Sequence, residues 1–185
     1  MKSARIIIGA NYGDEGKGTV VAHYTKNSNG NTLNILTNGG AQRGHSILTN
    51  YGSFTFHHFG SGTFHGADSY FSKYFILNPM VFVTEYVSLL IKPKKIYRDK
   101  KCRWTTPYDS MFNLISQQTQ GRHASCCMGI WNTIKRWNAG KNILFDDFLK
   151  MDDPLLYLEE IKQYYEKQLR SEERRVGKEC RSRWS

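Results

Sequence analysis

The sequence predicts an α/β protein with a mostly parallel sheet and flanking helices, entered through a P-loop-like strand–loop–helix unit. Three observations lead there. Arg5–Ile8 is a short β-branched run that stops at Gly9, and the glycine-rich loop Gly9–Gly18 leads directly into a helical pattern. Short apolar runs then alternate with segments of helical periodicity along the chain. The 185 residues are 39% hydrophobic and 14% aromatic, which suits a chain with a core and not a disordered one.

Each element has its own signal. Arg5–Ile8 reads as a buried strand. Lys17–Thr25 places Val20, Val21 and Tyr24 on one helical face. Leu33–Leu36 is a second strand, followed by a glycine turn at Asn38–Gly40. Ser53–Phe59 alternates apolar and polar residues until Gly60-Ser61-Gly62 breaks the pattern. Phe75–Leu77 is a further strand, and Asn78-Pro79 caps a helix over Met80–Ile91. The basic run Lys92–Lys101 reads as a solvated turn around a short strand at Ile96-Tyr97. Trp104–Thr106 is a strand candidate, and Pro107 opens a helix to about Gln118. Asp153-Pro154 is an N-cap with proline at the first helical position, ahead of an amphipathic helix on Leu155, Leu158, Ile161, Tyr165 and Leu169. Residues 1–169 therefore read as one domain without an internal linker or repeat.

Composition excludes several classes. No stretch approaches the roughly 20 apolar residues of a membrane span, and the N-terminus lacks the form of a signal peptide. Cys102, Cys126, Cys127 and Cys180 have neither a disulfide-framework spacing nor a paired CxxC zinc spacing, which predicts reduced thiols in a cytoplasmic protein. The formal charge of +10 would ordinarily suggest a polyanion. Part of it lies in Arg170–Ser185, RSEERRVGKECRSRWS, which resembles the conceptual translation of a sequencing adaptor. Setting aside its six basic and three acidic residues takes the charge to +7. The expectation is a non-native, disordered tail over 170–185 and no nucleic-acid partner.

The chemistry concentrates in GANYGDEGKG, Gly9–Gly18. Four glycines let backbone N–H groups approach phosphate oxygens, and the helix that follows supplies a positive N-terminus. Lys17 adds a mobile positive charge. The Walker A spacing is absent, because Asn11 and Gly18 stand where that pattern needs Gly and Ser or Thr. Asp14 and Glu15 are foreign to a plain anion cradle and make sense if one binds Mg²⁺ or takes a proton. Taken singly, other candidates are bland. An isolated His45 after glycine fits a hydrogen-bonded turn. Of His57 and His58, one is expected buried and the other near the site, since neighbours on a strand face opposite ways. Cys126-Cys127 fits a small loop residue or buried thiol better than a nucleophile.

The pattern G-x-x-x-G-D-E-G-K-G after the first strand resembles the N-terminal signature of adenylosuccinate synthetases. Asn38–Ser46, with Gly39-Gly40-Ala41-Gln42-Arg43-Gly44-His45, is similar to that family's GG-x-N-x-GH-T segment, and His57–Gly62 to its H-L-x-P-S-G turn. A weaker likeness runs through Thr105–Thr133, where Ser125–Ile130 falls near the family's nucleotide-phosphate loop, and Leu144-Phe145-Asp146 also fits. The resemblance implies a ligase of purine nucleotide biosynthesis joining IMP to L-aspartate, driven by GTP with Mg²⁺, through a 6-phosphoryl-IMP intermediate. It implies Asp14 as base and metal ligand, His45 as stabiliser of charge at O6 and the phosphoryl group, and the Gly44 carbonyl as a second metal ligand. Gly13, Glu15, Gly16, Lys17 and Gly18 would hold phosphate, Gln42 would replace the IMP-contacting Asn, and Ser125 and Cys126 would lie in the nucleotide-phosphate loop. A homodimer is implied for the full-length parent.

Departures also carry expectations. Asn11 and Tyr12 replace the usual Gln-Trp, and Arg43 is a bulky intrusion beside Gly44. These suggest a divergent archaeal or phage-like branch. The alternative is a phage-type relative acting on dGMP with ATP or dATP, in which the loop aspartate gives way to a small neutral residue; retention of Asp14 leans toward IMP. A generic phosphate-binding NTPase module would share the loop but needs no histidine at 45. Family members are about twice as long, so the sheet is expected to be incomplete, with base recognition and the aspartate site beyond Leu169 and the chain alone inactive.

Overall fold

The computed structural model describes residues 3–11, 13–28, 31–117 and 126–182, with side chains up to Ser171. By its own packing the chain divides into two compact units, Met1–Thr105 and Thr106–Ser185. That boundary falls between two threonines flanked by Trp104 and Pro107, with none of the Gly, Ser or charge enrichment that marks a linker.

The first unit runs α1 (Lys17–Lys26), β1 (Leu33–Leu36), β2 (Gly39–Gly40), β3 (His45–Thr49), β4 (Gly52–Phe56), a 3₁₀ turn (Ser61–His65), β5 (Asp68–Phe71), β6 (Phe75–Leu77), α2 (Pro79–Ser88), β7 (Ile96–Arg98) and β8 (Arg103–Trp104). Two parallel three-stranded ladders form, β1-β5-β7 and β2-β6-β8. They continue one another. Ser69 lies opposite Ile96 and Ile76 opposite Arg103, the same offset of 27 residues in both. On the other side the offset grows from 35 (Leu33 with Asp68) to 36 (Gly39 with Phe75), which is the one extra residue of the Ser72–Tyr74 turn. Three kinked parallel strands therefore run side by side, so the mostly parallel sheet of the sequence reading holds. The antiparallel hairpin β3–β4, with Thr49 opposite Gly52, is an addition.

The apolar residues of this sheet build the core. Phe71, Phe75, Ile76, Leu77 and Trp104 are buried, and Phe59, Phe71, Phe75 and Phe82 meet with ring centroids 5.1 to 6.0 Å apart. Cys102 is buried there, and burial pushes its thiol up to about 11, so it is inert. Helix α2 begins as expected: Asn78 accepts from the Val81 N–H at 3.2 Å and Pro79 occupies the first turn. Its interior buries Glu85 and leaves Met80, Val83 and Val87 exposed.

One element is corrected. Residues 5–8 form no strand, and Ile6 and Ile8 are 87% and 81% exposed. A buried strand needs hydrogen-bonding neighbours, and among the described residues none pairs with this segment. Arg5 instead lies over the Tyr24 ring of α1, 4.6 Å from its centroid. The glycine loop thus follows a segment without regular structure, not a sheet strand.

The second unit is helical: α3 (Pro107–Gln117), α4 (Ile130–Asn138), α5 (Phe145–Phe148) and α6 (Pro154–Ser182). The buried stripe of α6 is Tyr157, Ile161 and Tyr165, spaced by four, whereas Leu155 is 71% exposed. Periodicity counted Leu155 into the stripe because it weighs side chains by hydropathy and misses an amphipathic tyrosine. The backbone of α6 is helical through Ser182, where the sequence suggested a disordered tail.

Candidate active site

The loop Gly9–Gly18 turns into α1 through Gly16, whose φ of 69° is a left-handed conformation that suits glycine. Gly16 is the N-cap and makes no side-chain cap, so the first N–H groups of α1 remain for another acceptor. Asp14 is exposed, as are Gly13 and Gly16. Glu15 folds back into the loop. Its carboxylate accepts from the Asn11 N–H at 2.5 Å and from the Lys17 ammonium at 2.8 Å. Lys17, then the Asn11 amide, hold the Glu15 carboxyl below its ordinary value.

Gly18 is where the three sequence motifs meet. A Cβ at this glycine would lie 2.8 Å from the Ser46 carbonyl and 3.2 Å from the His45 Cβ, so α1 sits directly against the start of β3. Ser61, from the third motif, donates its hydroxyl to the Gly18 carbonyl at 2.6 Å and is fully buried. The loop, Gly44-His45 and the 57–62 turn therefore converge at the N-terminal end of α1. Gln42 and Gly44 are exposed in the turn that leaves the carboxyl end of β2 and runs into His45. His45 is half-buried. Burial first, then Arg43 and Lys17, lower its pKa, which favours the neutral imidazole.

Arg43, an intrusion in the sequence, has a defined seat. Its Nε and Nη2 donate to the His57 carbonyl at 3.1 and 2.7 Å, and Nη2 also donates to the His58 carbonyl at 2.9 Å. The guanidinium lies over the Phe75 ring, 4.8 Å from its centroid. Gly39 makes the room: with φ of 82°, a Cβ there would lie 2.9 Å from the Arg43 Cδ. His57 returns the contact, its Nδ1 hydrogen-bonded to the Arg43 carbonyl at 2.5 Å. Burial lowers Arg43 to about 10 against the pull of Glu85, which leaves it charged.

Glu85, unmarked by sequence reasoning, closes the arrangement. Its carboxylate accepts from three successive amides, His57 at 2.9 Å, His58 at 2.6 Å and Phe59 at 3.2 Å. Burial opposes its charge, but the His58 ring and the His58 and His57 amides outweigh burial and hold its pKa below the ordinary value. His58 is fully buried. Its Nε2 accepts from the Asn78 N–H at 2.9 Å, and its Nδ1 lies 3.4 Å from Glu85 Oε2. His57 is half-buried against Arg43 and His58 is fully buried, and both lie past the end of β4 and not within it. A lone acid in the apolar run of α2 was the available signal for Glu85.

The second phosphate-loop candidates lie in the helical unit. Ser125 is outside the described residues. Cys126 is exposed, and Cys127 has a positive φ of 55° just before the N-cap Gly129 of α4. Gly129 (φ 68°) is packed so closely that a Cβ would lie 2.7 Å from the Asp109 carbonyl carbon. Beneath it is a buried polar network. Arg136 Nε meets Asp109 Oδ1 at 2.9 Å and Nη2 meets Oδ2 at 2.9 Å, both residues fully buried. Tyr165 Oη donates to Asp109 Oδ1, and Arg136 Nη1 donates to Tyr157 Oη at 2.8 Å. Burial pushes the Tyr157 phenol up to about 12.

Among the described residues no cluster of three or more His, Cys, Asp or Glu is placed to hold a metal. The donors that the sequence singled out, the Asp14 carboxylate and the Gly44 carbonyl, are two hard oxygens. That set suits Mg²⁺, which keeps waters and substrate phosphates as its other ligands.

Comparison with known proteins decides the lineage. The sequence profile of the family described as adenylosuccinate synthetase matches residues 6–181. The chain belongs to the adenylosuccinate synthetase family. Among relatives, the adenylosuccinate synthetase of Borrelia duttonii is 28% identical over 119 residues, which are 63% of this chain and 27% of that protein. Adenylosuccinate synthetase 2 of Pseudoalteromonas translucida is 37% identical over 59 residues, 32% of this chain and 13% of its own length. The solved structure of fully ligated adenylosuccinate synthetase from Plasmodium falciparum superposes with a TM-score of 0.70 at 20% identity, over 85% of this chain and 39% of that one. At that identity the likeness speaks for the fold. The chain spans about a quarter of the Borrelia synthetase.

Proposed function

We propose that this chain supplies the phosphate loop and the acid–base residues of a ligase that joins IMP and L-aspartate to form adenylosuccinate at the expense of GTP. The observation that carries the reading is the meeting at Gly18 of the Lys17 loop, His45 and Ser61, because a phosphate cradle alone needs no histidine at its rim. Family membership supports the same reaction class.

In this scheme Asp14 accepts the N1 proton of the hypoxanthine, O6 attacks the γ-phosphorus of GTP, and GDP leaves. His45 donates a hydrogen bond to the charge that develops at O6 and on the phosphoryl group. Lys17 and the first amides of α1 hold the phosphates in line. The amino group of L-aspartate then displaces phosphate from C6 of 6-phosphoryl-IMP. Asp14 and the Gly44 carbonyl would hold Mg²⁺, which neutralises phosphate charge when bound. Gln42, exposed in the turn before His45, would offer its amide to the nucleotide. Retention of Asp14 favours IMP with GTP over dGMP with ATP or dATP.

Calorimetric titration of the purified chain with GTP, and of its Lys17→Ala variant, tests nucleotide-phosphate binding by the loop. Turnover is tested by joining the chain to the portion of a family member that follows its matched segment. Asp14→Ala in that protein should abolish adenylosuccinate formation while nucleotide binding stays largely intact. Turnover near that of the parent would remove Asp14 from the role of base.

A further inference from the structure

Glu15 stands apart in the loop, since a carboxylate beside a phosphate cradle repels the phosphate. Its position resolves the conflict. Both oxygens are engaged by groups that suit a phosphate, Oε1 by the Asn11 N–H at 2.5 Å and Oε2 by the Lys17 ammonium at 2.8 Å. The Ala10 amide also contributes. The backbone has closed onto this anion: a Cβ at Gly9 would lie 1.9 Å from Oε2 and 3.0 Å from the Lys17 Nζ. The Glu15 side chain is 19% exposed, so it stands in the seat and also has a way out.

We infer that the Glu15 carboxylate is an internal occupant of the phosphate seat, held between the Asn11 amide, the Lys17 ammonium and Gly9, and that it swings out when a phosphorylated ligand binds. The inference rests on the loop's being a phosphate site, as proposed above. It adds the Ala10 and Asn11 amides to the groups that meet phosphate and gives Glu15 a role distinct from holding the ligand. The ammonium of Lys17 serves one anion fully at a time, and two anions in one seat repel. The closed loop thus has its own counter-ion in the absence of nucleotide, and any ligand must outcompete it. A ligand's apparent affinity is reduced by the fraction of time the seat is free. A seat filled by Glu15 for roughly two-thirds to nine-tenths of the time would weaken phosphate binding by roughly three- to tenfold.

The experiment is titration of the full chain with inorganic pyrophosphate, without divalent metal, followed by calorimetry and by the ¹⁵N–¹H resonance of Asn11. The proteins are the wild type, Glu15→Ala, Glu15→Gln and Lys17→Ala. Glu15→Gln keeps the shape and removes the charge, which guards against a local collapse in the alanine variant. The inference expects both Glu15 variants to bind pyrophosphate about three- to tenfold more tightly. It also expects Lys17→Ala to bind more weakly and the Asn11 resonance to move in the ligand-free Glu15 variants. Equal affinity in the wild type and both Glu15 variants, or weaker binding in them, overturns the inference while leaving the phosphate loop standing. Absence of pyrophosphate binding in every protein, with Lys17→Ala indistinguishable from the wild type, overturns the phosphate-loop reading and the inference with it.

Discussion

Glu85 offers the sharpest test of how the site is held together. Its carboxylate is buried and accepts from the amides of His57, His58 and Phe59, while His58 and Arg43 lie close by. A hydrogen bond to a charged group contributes about 1.5–3 kcal/mol, and an orphaned buried donor costs about 1–3 kcal/mol. Three such bonds to one carboxylate are not independent, so their sum overshoots. Glu85→Gln keeps one acceptor but turns an N–H₂ toward a donor, and we expect a loss of about 1.5–3 kcal/mol. Glu85→Ala strands all three amides and should cost about 3–5 kcal/mol, a large part of the 5–15 kcal/mol typical of a domain. Urea unfolding followed by far-UV circular dichroism reads the stability, and hydrogen exchange at residues 57–59 reads the site. Thr84→Ala, on the exposed side of α2, is the control. If Glu85→Gln lies within about 0.5 kcal/mol of the wild type and the three amides exchange at unchanged rates, the carboxylate does not hold the turn.

Two further outcomes follow from the buried charges. Arg136→Met removes one partner of the fully buried pair and leaves Asp109 uncompensated, so it should cost about 3–5 kcal/mol by thermal or urea unfolding; a loss under about 1 kcal/mol would remove the network from the stability of the helical unit. Stability should also fall on acidification in two stages. Burial holds His58 below its ordinary 6.5, so the unfolded chain takes up that proton first and stability declines as pH drops below about 6.5. Glu85 is held below its ordinary 4.5, so its contribution is full above that value and is lost as pH falls through its lower folded value. Unfolding free energies that stay flat from neutral pH to pH 5 would contradict the first stage, and Glu85→Gln should flatten the second.

Much of this was legible in the sequence because short-range rules governed it. The helix of α1, the strands β1 and β6 and the Asn78-Pro79 start of α2 stand where expected. Helix α1 nonetheless buries Gly18, Ala22 and Thr25 and exposes Val20 and Tyr24, which the periodicity places on its apolar face. What escaped depends on partners distant in sequence. Residues 5–8 have the composition of a strand, but strand formation requires a neighbour that the segment's own residues cannot specify. Helix α4 was missed because its buried residues are Asn132, Thr133 and Arg136, while Trp131 is 63% exposed. Ile130, Ile134 and Trp137 do recur at helical spacing, but the segment is short and its fully buried side chains are polar. In the site, Lys17, His45 and Ser61 were singled out through their motifs. Their meeting at one glycine, and the hold of Glu85 on three amides, appear only in three dimensions.

The seat of Arg43 shows how a bulky cation beside Gly44 is accommodated. A bulky cation beside Gly44 would be costly if it merely displaced neighbours, since a buried charge without partners is strongly disfavoured. Here each expense has its offset. Gly39 vacates the space for the stem, the His57 and His58 carbonyls accept its N–H groups, Phe75 offers a ring face, and Glu85 lies near enough to favour its charge. The same two residues whose carbonyls Arg43 holds donate their amides to Glu85, so the 57–58 backbone is fixed from both sides by opposite charges. That turn leads to Ser61, and Ser61 holds Gly18. The position of Arg43 is therefore linked through hydrogen bonds to the first turn of α1. A divergent residue at 43 serves this architecture as a brace between the histidine-bearing segment and the loop.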